Sequence, residues 1–294
     1  MVPFLKRITF PGFERVPAYK VFSIVLKEIF SPILVLRAKA IAFSFFLALF
    51  PTMIFLFSLL PYVPIDNFTN DIIGYFKNIM PNKEMVEIFL PIINEILEKP
   101  RGGVLSIGFF LIIFFMKNGV ITMMQSFNVH FDQKNKMILI KNQVKSIFLT
   151  LIILFLFVVT IVLLVLGKSI MSFIFDFFDY DGNFLVILID FLRYAISISL
   201  NYVVVSLLYY FGPSLKIQNK YFTPGAIIAT ALIIFVSVLF SKYIVHFGNY
   251  NKLYGSFGTV MLTLIWLYWN SLAILIGFEF NRSIFTLKSK KSKS

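Results

Sequence analysis

Residues Ser146–Gly167 read SIFLTLIILFLFVVTIVLLVLG, twenty-two positions without one charged side chain. A helix rises about 1.5 Å per residue, so a stretch of this length spans the roughly 30 Å of a bilayer's hydrocarbon core. Five further apolar stretches of comparable length flank it: Ala38–Leu60, Val104–Asn128, Phe184–Phe211, Pro224–Val245 and Ser256–Phe280. The pattern therefore predicts an all-α membrane protein with six transmembrane helices. The first span begins too deep in the chain, and lacks a small-residue cleavage site, to be a signal peptide.

The composition of the 294 residues agrees. Hydrophobic residues make up 59% and charged residues 14%, with 38 Phe. Soluble domains carry about a quarter charged residues. This balance excludes disordered, coiled-coil and collagen-like chains. The net charge of +13 would suggest nucleic acid in a soluble protein. In a membrane protein it points instead to loops facing anionic head groups, so membrane lipids are the expected partners and nucleic acid is not. There is no Cys and there are two His, His130 and His246. Disulfides, thiolate chemistry and a His-rich metal site are thereby excluded or disfavoured.

The distribution of Lys and Arg gives an orientation. Eighteen fall on the side of the two termini, in 1–39, in the loops after the second and fourth spans, and in the tail. Seven fall on the opposite side, and Lys117 and Arg193 lie within spans. Positively charged loops stay in the cytoplasm, so both termini are expected there, in an inner membrane. The segments are then 1–37, a cytoplasmic piece with an amphipathic helix; 38–280, the membrane domain; and 281–294, a basic cytoplasmic tail. In the first of these, Val21, Phe22, Val25, Leu26, Ile29, Phe30 and Ile33 recur at helical spacing and read as a helix lying on the membrane surface. Within the second, the outer loop 61–103 holds two amphipathic stripes. One runs from Phe68 to Met80 and the other from Met85 to Leu97, with Glu84, Glu87, Glu95 and Glu98 opposite. They either cap the bundle or lie in the outer leaflet beside a lateral opening.

Polar groups inside hydrocarbon are expensive and mark helix contacts or pathways. In the fourth span Asp190, Arg193, Ser197 and Asn201 share one face. They form either a structural ion pair with neighbours or the wall of a hydrated cavity. In the second span Asn118, Thr122 and Gln125 share a face, with Lys117 beside them near mid-span. Helix-to-helix hydrogen bonding or head-group binding are the two readings. Small residues such as Ala38, Ala42, Gly225, Ala229, Gly255 and Gly258 mark close packing. Glu279 and Arg282, three residues apart, are placed to pair at the inner end of the last span. No phosphate loop, no GxGxxG, no HExxH and no paired carboxylates are present, so catalytic residues, cofactors and metal ligands are none.

Three landmarks resemble a known family. They are Arg37-Ala-Lys-Ala-Ile-Ala-Phe-Ser-Phe-Phe-Leu-Ala-Leu-Phe-Pro51, then Pro213 with Thr223-Pro-Gly-Ala226, and Tyr254-Gly-Ser-Phe-Gly258 followed by Leu264-Ile-Trp-Leu-Tyr268 and Gly277-Phe-Glu-Phe-Asn281. In order, they are similar to the YihY/virulence factor BrkB family. The chain departs from it in having Phe278 where the family often has Ala in Gly-Ala-Glu-Leu-Asn, and in its Phe-rich core. The resemblance implies an inner-membrane protein with six helices and cytoplasmic termini. Members have carried the label ribonuclease BN and have been associated with resistance to host killing or with lipid export. Two separated His argue against the nuclease label. The function expected is a transporter-like protein that handles a lipid or amphipathic substrate. In it Lys117 and Arg193 attract an anionic head group and Asn118, Gln125 and Asn201 hydrogen-bond it. The alternative is a non-transporting scaffold for envelope assembly, and a homo-oligomer remains open.

Overall fold

A computed structural model describes residues 16–59, 90–91, 102–129, 136–178, 183–214, 223–246 and 256–291. These residues form seven helices: α1 (Ala18–Ile29), α2 (Pro32–Leu59), α3 (Gly102–Phe127), α4 (Lys136–Phe178), α5 (Asn183–Phe211), α6 (Pro224–His246) and α7 (Ser256–Lys291). The last six are long and apolar enough to cross a bilayer, and no strand occurs among the described residues. In hydrocarbon every backbone N–H and C=O must be satisfied within its own segment, which leaves the helix as the open-ended solution. The stripes expected in the outer loop, and Gly255, lie outside the described residues.

Each span packs on its sequence neighbours, from α2 through α7, and α7 closes back onto α2. The result is a ring of six helices. One end of the ring carries α1, the start of α2 and the end of α7, and is called the terminal side below. The buried core draws on all six spans, but from the part of each nearest that side: Leu34, Ala38 and Ile41 of α2, Met124 and Phe127 of α3, Leu149 of α4, Leu208 and Tyr209 of α5, Ala226 and Ala229 of α6, and Leu275 and Phe278 of α7. The Phe127 and Phe278 rings stack at 4.2 Å, and Tyr209 meets both edge-on.

Several boundaries differ from those read in the sequence. Helix α4 runs 43 residues, about 65 Å, well past Ser146–Gly167 at both ends. Helix α7 continues through 281 to Lys291, so most of the expected tail is helical. That continuation is held by packing, since Phe280 and Ile284 are buried against Val21 and Val25 of α1. Helix α1 is correspondingly two-faced: Ala18, Val21 and Val25 are buried, while Phe22, Leu26 and Phe30 are exposed. A single membrane-facing stripe was expected, and α7 takes part of it. Pro51 is buried inside α2, which continues to Leu59 despite the missing N–H.

Helices α6 and α7 approach most closely at Gly225 and Gly277. A Cβ on Gly225 would fall on the Gly277 carbonyl oxygen and the Asn281 side chain, and one on Gly277 would fall on the Gly225 carbonyl, the Tyr209 hydroxyl and Ala229. Backbone stands on both sides, so a neighbour cannot rotate away. Gly277→Ala is expected to cost about 1–3 kcal/mol or to block assembly. Gly103→Ala, where nothing lies within 4 Å, should be neutral. Thermal unfolding in detergent compares the two, and equal melting would show that this contact does not set the helix spacing.

Candidate functional site

Two features stand out, an ionic clamp on the terminal side and a polar level above the core. The clamp begins with Glu279, whose side chain is 1% exposed. Its Oε1 accepts from Arg37 Nη2 of α2 at 3.1 Å, and its Oε2 accepts from Arg282 Nε. Arg37 Nη1 also donates to the Ser126 carbonyl of α3 at 2.8 Å. Arg282 Nη2 reaches Glu28 Oε1 of α1 at 2.9 Å. Two guanidinium groups and two carboxylates thus join α1, α2, α3 and α7 with no net charge. Each guanidinium divides its donors between two acceptors, which suits burial, since isolated charges would cost several kcal/mol each.

Amides continue the terminal seal. Asn281 Oδ1 accepts from Gly225 N at 2.8 Å and its Nδ2 donates to Thr223 Oγ1 at 2.9 Å, so α7 caps the start of α6. Thr223 Oγ1 also accepts from Ala226 N, as an N-cap does. Asn128, just past α3, donates to the carbonyls of Met124 and Gly212 at 2.7 and 3.2 Å and accepts from Ser214 N at 2.7 Å. It ties the terminal ends of α3 and α5 across the ring. Tyr209 donates to the Ile274 carbonyl at 2.5 Å.

The polar level lies beyond this seal. Lys117 precedes the buried Met124 by seven residues, so it stands two turns outward on the same face of α3. Asn201 precedes the buried Leu208 of α5 by the same interval. Both are eleven residues from the Asn128–Gly212 bridge, about 16 Å above it. On α5 the face that is buried at Val205 and Leu208 becomes exposed at Asn201, Ile198 and Tyr194. This face of α5 is therefore packed on the terminal side and exposed farther out. Lys117 is half-buried, and no described residue makes a hydrogen bond or ion pair with it. Arg193 is buried, its guanidinium 5.3 Å from the centre of the Tyr194 ring. Ser197 is half-buried and donates to the Arg193 carbonyl.

The remaining candidates fall elsewhere. Asn118 is half-buried and Gln125 exposed, both on the side of α3 turned away from the core. Thr122, on the same strip, shares a 3.1 Å hydrogen bond with Ser44 of α2. Asp190 belongs to α5, and its side chain lies outside the described residues. Gly258 is buried near the far end of α7. The Glu279–Arg282 pair forms at the expected spacing. Sequence reasoning gave no structural role to Arg37, Asn128, Thr223 or Tyr209. The partners of Arg37 and Asn128 are 242 and 84 residues away, so local spacing carries no trace of them.

Removing one partner of a buried pair leaves the other uncompensated. Glu279→Leu is expected to destabilise by about 3–5 kcal/mol, and the double variant Arg37→Met with Glu279→Leu to recover part of that loss. Thermal unfolding of both single variants and the double gives the coupling. Strict additivity would mean that the clamp is not a unit.

The family profile described as Virulence factor BrkB matches residues 31–294. YfkH of Bacillus subtilis, described as a ribonuclease-like protein, is 32% identical over 260 residues, covering 87% of this chain and 93% of that one. A UPF0761 membrane protein of Idiomarina loihiensis is 27% identical over 111 residues, 38% of this chain and 39% of its own length. One from Tolumonas auensis is 31% identical over 97 residues, 33% of this chain and 31% of its own. No solved structure matches.

Proposed function

The chain belongs to the virulence factor BrkB family, and from that premise we propose a transporter-like inner-membrane protein that handles a lipid or another amphipathic anion. The observation that carries this reading is Lys117. Its position on α3 lies about 16 Å along the helix from the terminal seal, in a span long enough to cross the bilayer, and its ammonium has no partner among the described residues. A lysine at the centre of a membrane helix costs about 3 kcal/mol, and an anion beside it offsets that cost. The exposed face of α5 at the same level supplies a route, with the Asn201 amide available to hydrogen-bond the head group. Arg193 and Ser197 continue the polar face outward. Exposed apolar residues such as Ile198 would accept acyl chains. We place both termini in the cytoplasm on the excess of basic residues on their side, so that exposed face lies toward the outer leaflet.

A non-transporting scaffold is the second reading, favoured by the clamp that locks α1, α2, α3 and α7 together. Ribonuclease activity is not our reading, although a relative bears that description. Among the described residues no three His, Cys, Asp or Glu lie together to hold a metal ion. The residues on which such chemistry depends are not visible in the sequence either.

The test is reconstitution in vesicles, with lipid scrambling and lipid retention measured for the native sequence, Lys117→Met, Arg193→Met and Asn201→Leu. A hydrogen bond to a charged group contributes about 1.5–3 kcal/mol, so Lys117→Met should weaken handling of anionic lipid by about tenfold or more while leaving the fold intact. Absence of activity across lipid compositions, or activity indifferent to all three substitutions, would reject the transporter reading and favour the scaffold.

A further inference from the structure

Helix α1 divides into three stripes, each at spacings of three and four residues. Ala18, Val21 and Val25 are buried against α7. Tyr19, Phe22, Leu26 and Phe30 are exposed, Phe30 at 82%. Lys20, Ser23 and Lys27 form the third and are exposed as well. Phe22 meets the Phe280 ring of α7 edge-on at 5.1 Å yet stays about half exposed, and packing on α7 alone gives no use for the exposed Tyr19, Leu26 and Phe30. The stripe continues past Ser31 into exposed Ile33 and Leu36 at the start of α2, so it joins the lipid-facing surface of a membrane span.

The charges complement this. Glu28 is the one acidic residue of α1, and Arg282 holds it. Lys20 and Lys27 therefore have no acid on their own helix. The clamp also fixes the helix: Glu28–Arg282–Glu279–Arg37 runs from α1 into the starting turns of α2. Rotation that would hide the aromatic stripe would break it.

We propose that the Tyr19–Phe30 face of α1 docks into the lipid leaflet on the terminal side, with Lys20 and Lys27 gathering anionic head groups around it. The occupant is the bilayer rather than a protein, because the stripe is continuous with a span and the adjoining stripe is basic, as an interfacial helix requires. Each lysine near an anionic surface favours it by about fivefold. The docked helix anchors the clamp at a fixed height, independently of whether the protein moves lipid.

The chain has no Cys, so single-Cys variants report one position each. Leu26→Cys, Phe30→Cys and Ser23→Cys are labelled with an environment-sensitive fluorophore and reconstituted in phosphatidylcholine vesicles containing phosphatidylglycerol. Spin-labelled lipid should quench positions 26 and 30 at least about twofold more than position 23. Spin-labelled phosphatidylglycerol should quench them more than spin-labelled phosphatidylcholine at equal content, and Lys20→Glu with Lys27→Glu should erase that difference. Equal quenching at 23, 26 and 30 would overturn the docking. Shielding of 26 and 30 from an aqueous quencher without quenching by lipid would mean a second copy covers the face, and overturns it too. Lack of preference between the two lipids would overturn the anionic component. The unfolding temperature of each variant shows that the helix is still clamped.

Discussion

A carboxylate buried between two guanidinium groups holds the terminal side of this protein together. Glu279 is almost wholly removed from solvent, and it tolerates that place because Arg37 and Arg282 bring two positive charges and hydrogen-bond donors to its two oxygens. Glu28 balances the second guanidinium. In a medium of low polarity such a set is stable only when complete, because any lone member would carry its full desolvation cost. Helix positions follow from that requirement. The start of α2, the last turn of α3, the end of α7 and the short α1 must all converge on one point. The close approach of Gly225 and Gly277, and the Asn281 contact beside it, bring α6 to the same level.

With the terminal side sealed this way, the rest of the ring is freer to differ. Among the described side chains, nearly all the fully buried apolar ones lie in the terminal half of their helices. Farther out, α5 exposes residues on the very face it buries near its end. Polar groups at that level, Lys117 and Asn201, are therefore not part of the seal. The contrast between a closed, charge-neutral floor and a half-buried cation farther out is the physical basis for the pathway proposed above. Helix α1 extends the same division to the surface, with one face given to the floor and another left exposed.

Much of the architecture was legible in the residues alone. Six apolar stretches of about twenty residues or more admit one secondary structure in hydrocarbon, and that constraint is local, so the uncharged Ser146–Gly167 declares itself without its neighbours. The i, i+3 spacing of Glu279 and Arg282 is equally local, and the pair forms. Helix ends were less legible. The continuation of α7 to Lys291 depends on Phe280 and Ile284 meeting Val21 and Val25, a contact between opposite ends of the chain. The two-faced character of α1 has the same origin.

What the sequence determined by itself, then, is the number and kind of helices and the side on which basic residues gather, since both follow from the cost of placing polar groups in an apolar solvent. Tertiary structure alone decided which polar residues would be neighbours. It paired Arg37 with Glu279 over 242 positions, and put Asn128 on the carbonyl of Gly212. It turned Asn118 and Gln125 away from the core. Helical spacing specifies which residues share a face, but not what that face meets, and the closing of α7 onto α2 is what supplies the answer.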